Sequence, residues 1–257
     1  MPEHAAPSPS ALVTGAARRV GLAIAADLAA HGFAVALHCN TSCEEADDAV
    51  AAILEAGGSA AAITADLTDR HAVAGLVDAA RQAIGPLTLL VNNASVFEYD
   101  DLETLDHDIW DRQMAVHLEA PAFLARDFVA QLPADAEGNI VNIIDQRVWR
   151  PTPHFFSYTT AKSALWAATR TMAQTLAPRV RVNAIGPGPT LPGPRQSEAD
   201  FAAQVAAVPL QRGPSPEEIA AAVRFLVETP SMTGQMLALD GGQHLAWETP
   251  DVVRANE

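Results

Sequence analysis

The segment YTTAK sets the phenol of Tyr158 and the ammonium of Lys162 four residues apart. On a helix that spacing turns both side chains to one face. A free phenol has a pKa of about 10. An ammonium ~4 Å away contributes roughly 4 kcal/mol at an effective dielectric of ~20, enough to draw the phenol toward proton transfer near neutrality. The same spacing also occurs in helices that do no chemistry. Thirteen residues upstream, in NIIDQRV, stands Asp145. An ionised carboxylate can only accept hydrogen bonds, so beside Tyr158 it would repel a developing alkoxide and welcome N–H groups. It would also favour the protonated phenol, which suits reduction. The other readings of Asp145 are a protonated side chain, a helix cap or an ion-pair partner. Arg147, Trp149 and Arg150 follow directly, at the expected substrate mouth.

A second constellation lies near the start. VTGAARRVG follows an apolar run and opens a helical pattern, the context of a phosphate-cradling turn. Gly15 and Gly21 occupy two of the three usual glycine positions, and Arg19 stands where the middle one is expected. The turn, with Arg18 and Val20, is a candidate dinucleotide site; Arg19 reads as a phosphate clamp or a surface residue. The second apolar run ends in LHCNTS, with no acid before Glu44. An Asp or Glu here would accept from the adenosine ribose. His38, Asn40, Thr41 and Ser42 are neutral donors that could surround a 2′-phosphate, with Arg18 as the cation. The expected cofactor is therefore NADP(H); the alternative is an ordinary polar loop. Asp66, followed by Leu67, is expected at the adenine, or in a turn or cap. NNAS brings Asn93, Ala94 and Ser95 to a strand end, and GPGPT brings Pro187, Gly188 and Thr190 toward the nicotinamide.

Strand-length apolar runs at 11–15, 33–39, 61–67, 87–94, 139–145, 179–186 and 236–241 alternate with helical patterns. The helices are expected at 20–31, 44–56, 69–84, 105–131, 158–176, 198–207 and 216–227. This pattern predicts an α/β fold, a doubly wound parallel sheet with helices on both faces and a crevice at the strands' carboxyl ends. Residues 11–257 read as one domain behind a disordered lead-in, 1–10. The Pro- and Gly-rich segment 187–214 is too long for an idle connection and reads as a substrate lid.

Of 257 residues, 49% are hydrophobic and 18% charged, a globular composition, and the net charge of −15 argues against nucleic-acid or anionic-membrane partners. No apolar run is long enough to span a bilayer, and MPEHAAPSPS lacks a basic n-region and an apolar h-region. Cys39 and Cys43 make one C-x3-C pair, poor for zinc, so no metal is expected. Two free thiols suit a reducing, cytoplasmic compartment.

TGAARRVG, NNAS, YTTAK and NAIGPGPT, in that order, resemble the short-chain dehydrogenase/reductase family from about Ala11 to Gly242. The resemblance implies a single-domain Rossmann fold, NAD(P)-dependent hydride transfer and a homotetramer joined through helices at about 105–131 and 154–177. Three positions depart from the general pattern. The family usually has a serine at position 145, a glycine at 19 and, on the long fourth helix, a proton-relaying asparagine where His117 stands. His117 either binds a relay water or packs as a neutral helix histidine. TG-x-x-x-R-x-G, NNAS-x-F and the Asp, Tyr and Lys spacing are similar to the pteridine reductases within the family. That likeness implies that Arg19 reaches cofactor phosphate and substrate, that Ser95 contacts both, and that Phe97 stacks a pterin against the nicotinamide. A core phenylalanine is the other reading of Phe97. The expected reaction is NADPH-dependent reduction of a small pterin, with a carbonyl reductase or a non-catalytic NADP-binding sensor as alternatives.

Overall fold

Among the described residues, seven short and mostly apolar strands lie between two helical layers. The computed structural model describes residues 9–193 and 196–247. The strands are β1 (Ser10–Val13), β2 (Ala34–Cys39), β3 (Ser59–Thr64), β4 (Leu89–Asn92), β5 (Gly138–Ile143), β6 (Val180–Pro187) and β7 (Met236–Leu239). All pair in parallel, in the order β3-β2-β1-β4-β5-β6-β7. The chain reverses its direction of winding between β1 and β4, which opens a crevice there. The helices are α1 (Arg19–Ala30), α2 (Cys43–Glu55), α3 (Arg70–Ile84), α4 (His107–Met114), α5 (Ala120–Gln131), α6 (Phe156–Leu176), α7 (Glu198–Ala206) and α8 (Pro216–Glu228). Ile24, Leu28, Ile219 and Val223 pack α1 and α8 on one face of the sheet. Leu76, Leu124, Phe128 and Ala173 pack α3, α5 and α6 on the other. Among the described residues no helix is long and apolar enough to cross a membrane.

Several expected boundaries move, for local reasons. β1 begins at Ser10, inside the expected lead-in, whose residues 1–8 lie outside the described ones. β3 ends at Thr64, paired with Cys39, so Asp66 and Leu67 fall in the following turn. β4 stops at Asn92 because Thr14 Oγ1 accepts from the N–H groups of both Asn93 and Ala94 (2.9 and 3.0 Å), withdrawing them from the ladder. The expected single helix at 105–131 is α4 and α5 joined by a π turn at Ala115–Glu119, where Ala120 N–H bonds to the Ala115 carbonyl. Pro121, in the first turn of α5, has no N–H to offer the His117 carbonyl four residues back, and π turns absorb such faults. The 187–214 segment carries α7, capped by Ser197, which accepts from Asp200 N–H at 3.1 Å.

Candidate active site

The phosphate turn runs from β1 to α1 at the crevice. Gly15 has φ +64° and its N–H donates to His38 Nδ1 at 3.1 Å. Gly21 is packed so closely that a Cβ would lie 2.1 Å from the Gly15 carbonyl oxygen. Arg19 adopts φ +57°, the conformation a glycine would take at less cost. No side chain caps α1 and its first turn holds no acid, so its N–H groups fit a pyrophosphate. Arg18 is exposed at the cap and Val20 half-buried behind it. The exposed Asn40 and Thr41 and the half-buried Ser42, whose hydroxyl does not cap α2, form the adenosine-side loop.

Some expected contacts are redirected. His38 is buried; its Nδ1 is taken by Gly15 and its Nε2 donates to the Ala65 carbonyl at 3.0 Å. Burial holds it below the usual histidine range, so it is a neutral pin between the phosphate turn and the end of β3, with no group left for a 2′-phosphate. Leu67 likewise points into the core, which leaves only its backbone toward the crevice. Asp66 Oδ1 accepts from Thr68 N–H and Oγ1, both at 2.8 Å, which realises the turn reading. Asn93 Nδ2 donates to the carbonyls of Thr14 and Gly15 (2.9 and 3.1 Å), so its side chain ties β4 to the turn. The Arg19 guanidinium donates to the carbonyls of Pro192 (3.0 Å) and Leu191 (3.4 Å), joining the turn to the 187–214 segment. Pro187 ends β6, Gly188 N–H donates to the Leu239 carbonyl at 2.9 Å, and Thr190 Oγ1 donates to the Gly188 carbonyl at 3.1 Å.

At the chemical end, Tyr158 Oη donates to Asp145 Oδ2 at 2.9 Å. Asp145 Oδ1 accepts from Arg147 N–H at 2.8 Å, so the carboxylate caps a short 3-10 turn and faces the phenol at once. Burial pushes Asp145 upward. Burial, then Asp145 itself, holds Tyr158 well above 10. The sequence expects Lys162 to draw the phenol toward neutrality; here the ammonium is anchored on the backbone beside the Tyr158 ring. Lys162 Nζ donates to the Ile143 carbonyl at 2.8 Å and sits 5.7 Å from the Tyr158 ring centroid. The phenol therefore keeps its proton. Burial lowers Lys162 itself to about 8. A rate that needs this ammonium should fall as pH rises through about 8. Lys162→Arg should move that alkaline limb upward in a kcat–pH profile, and an unmoved limb would assign it to another group.

Similarities to known proteins bear on the chain as a whole. A family model described as Enoyl-(Acyl carrier protein) reductase matches residues 15–244. The chain belongs to the short-chain dehydrogenase/reductase family. It is an oxidoreductase by that membership. A Brucella suis protein described as FolM alternative dihydrofolate reductase 1, solved in complex with NADP, is 57% identical, covering 95% of this chain and 98% of that one, with a TM-score of 0.92. A Burkholderia cenocepacia short chain dehydrogenase, also in complex with NADP, is 35% identical over 93% of this chain and 98% of its own, with a TM-score of 0.86. A 3-oxoacyl-acyl-carrier-protein reductase of Synechocystis is 32% identical over 90% of this chain and 95% of its own.

The departures from the short-chain dehydrogenase/reductase pattern now have positions. His117 lies in the π turn, buried, with its ring 5.1 Å from that of Tyr158. Its Nε2 accepts from Val96 N–H at 3.2 Å, and the Ser95 hydroxyl shares that lone pair at 3.0 Å. Burial and then Lys162 hold it well below the usual histidine range. Through Nε2 it holds the loop that carries Ser95 and Phe97. Phe97 is 43% exposed, so it is not a core residue. Its ring stacks on Phe155 (4.1 Å between centroids, 14°) and meets Tyr158 edge-on at 4.8 Å. The Arg147 guanidinium stands over both phenylalanine rings, 5.6 and 5.0 Å from their centroids. Trp149 and Arg150 reach instead toward His244 and Gln243 in the turn after β7.

Two further groups serve the site without any signal in the sequence. Asp100 is buried at the start of α6, accepting from Ser157 N–H (3.2 Å) and its hydroxyl, while its carbonyl accepts from Phe155 N–H at 2.7 Å. It thus fixes the helix that carries Tyr158 and Lys162. A buried ladder runs from Asn92 Nδ2 to Asn142 Oδ1 (2.8 Å) and from Asn142 Nδ2 to Thr169 Oγ1 (2.9 Å), locking β4, β5 and α6 together. Both are contacts between residues far apart in the chain, and nothing local marks them.

Proposed function

We propose that the chain reduces a pterin, such as a dihydropterin or dihydrobiopterin-like molecule, with NADPH. The carrying observation is the 2.9 Å bond from Tyr158 Oη to Asp145 Oδ2, where the family's usual serine would offer a hydroxyl. An acceptor beside a protonated phenol suits a substrate that presents N–H groups and takes up a proton on a ring nitrogen. The half-exposed Phe97 sets an aromatic ring beside the phenol, which suits a planar heterocycle. The Brucella suis relative is named for reduction of dihydrofolate, which contains a pteridine ring.

NADP(H) suits the uncapped start of α1 and the acid-free loop at Asn40–Ser42, and two of the structures above hold NADP. When bound, the cofactor supplies the hydride. Tyr158 delivers the proton to the substrate nitrogen, directly or through water. Asp145 orients the phenol and accepts from the substrate's N–H groups. The Lys162 ammonium, anchored on Ile143, stabilises the phenolate left behind. A homotetramer built through α5 and α6 belongs to the same reading.

Following NADPH consumption with dihydropterins and with simple ketones tests this. Wild type should turn over a pterin, and Asp145→Ala should lose roughly 10²-fold or more in kcat/KM for it. Brisk ketone reduction with no pterin turnover would refute the substrate class. That outcome would favour a carbonyl reductase, a reading supported by the ketoacyl-type relative and by the upward push on Asp145, which as an acid could donate to a carbonyl oxygen.

A further inference from the structure

Two thiols bracket the loop read above as the adenosine-side pocket. Cys39 closes β2 and Cys43 opens α2, so Asn40, Thr41 and Ser42 form the whole link between them. Cys39 is buried against Ala17 of the phosphate turn and Ala46 of α2. Cys43 is exposed. Both sulfurs converge on one hydroxyl: Thr64 Oγ1 lies 3.6 Å from Cys39 Sγ and 3.5 Å from Cys43 Sγ. Cys43 Sγ also lies 3.7 Å from the Asn40 carbonyl, folded back over the loop toward β2. Burial pushes the Cys39 thiol upward, and the neighbouring Cys43 adds to that push. The exposed thiol is thus the one that meets an oxidant first, with a second sulfur close behind it.

We propose that Cys39 and Cys43 form a disulfide across the Asn40–Ser42 loop when the protein meets hydrogen peroxide, and that this bond weakens NADPH binding. The second half rests on the reading of that loop as the 2′-phosphate pocket. The Cys43 thiolate attacks one peroxide oxygen, the O–O bond breaks, and the departing hydroxide takes up a proton to become water, leaving a sulfenic acid on Cys43. Cys39 sulfur then attacks the Cys43 sulfur, the S–O bond breaks, and the hydroxide leaves as the second water with the Cys39 proton. Two electrons pass from the thiols to the peroxide, two S–H bonds are lost and one S–S bond forms. A disulfide needs its sulfurs ~2.05 Å apart. Joining the sulfurs closes Asn40, Thr41 and Ser42 into a ring between positions 39 and 43 and so restricts the loop.

The test treats the full chain with hydrogen peroxide, removes the oxidant, and then counts thiols in denaturant and measures intact mass and the Kd values for NADPH and NADH. The expected result is a single chain, not cross-linked to another, lacking both titratable thiols and two hydrogens in mass. Its Kd for NADPH should rise about tenfold and its Kd for NADH much less, with dithiothreitol restoring both. Cys39→Ser and Cys43→Ser should keep the NADPH affinity of the reduced wild type and lose the dithiothreitol-reversible change. Two thiols still titrating after peroxide, or disulfides only between chains, would overturn the proposal. So would an intrachain disulfide with unchanged NADPH affinity. Equal NADPH and NADH affinities in the reduced protein would remove the pocket reading, while thiol count and mass would still decide the disulfide.

Discussion

Tyr158→Phe should lower kcat for NADPH-dependent reduction by about 10²–10⁴-fold, the range that a positioned proton donor contributes. The Kd for NADPH should stay within about twofold, because the change removes one hydroxyl and leaves the ring in its contacts with Phe97 and His117. The loss should exceed that of Asp145→Ala. Asp145 acts on the proton through the phenol, whereas the phenol carries it. Stopped-flow measurement of the hydride step for both variants checks the order. A phenylalanine variant that retained its rate would make Tyr158 a bystander and would support a protein that senses NADP without turnover.

Gly21→Ala should be severely damaging. Its Cβ would lie 2.1 Å from the Gly15 carbonyl oxygen and 2.6 Å from Asn93 Nδ2. Neither can yield cheaply. The carbonyl belongs to a turn held by His38, and Asn93 is tied to the carbonyls of Thr14 and Gly15. Helix α1 must therefore shift off the sheet, at a cost expected to exceed ~4 kcal/mol. Denaturant unfolding measures it, and loss of NADPH binding should accompany it. Gly75→Ala in α3 is the matched control, with nothing within 4 Å of its Cβ. It should stabilise by roughly 0.5–1 kcal/mol through helix propensity alone. A Gly21→Ala protein as stable as wild type would mean the turn is looser than its contacts state.

Local pattern carried much of this protein. Periodicity distinguishes strands from helices because buried parallel strands are apolar on both faces and amphipathic helices repeat every 3.6 residues. The four-residue spacing of Tyr158 and Lys162 is a property of one helix, so their shared face was legible. The thirteen-residue interval to Asp145 became informative through the family pattern, and the fold sets the two side chains 2.9 Å apart. Polar groups were harder to place. His38 and Asn40 stand two apart at one strand end, yet His38 turns inward to Gly15 and Asn40 outward. Arg19 meets the Leu191 and Pro192 carbonyls across more than half the chain.

By itself the sequence determined the parallel α/β layering, the glycine turn after the first strand and the shared face of Tyr158 and Lys162, since each follows from side-chain period or short spacing. Tertiary structure alone decided which way the donors and acceptors point. It put His117 on Val96 and Asp100 on the start of α6, and it anchored Lys162 on the Ile143 carbonyl. The reason is that every buried polar group must find a partner, and those partners arrive from strands and helices distant in the chain. Burial then sets the proton affinities: the same phenol and ammonium that would pair closely in a bare helix are here held above 10 and near 8.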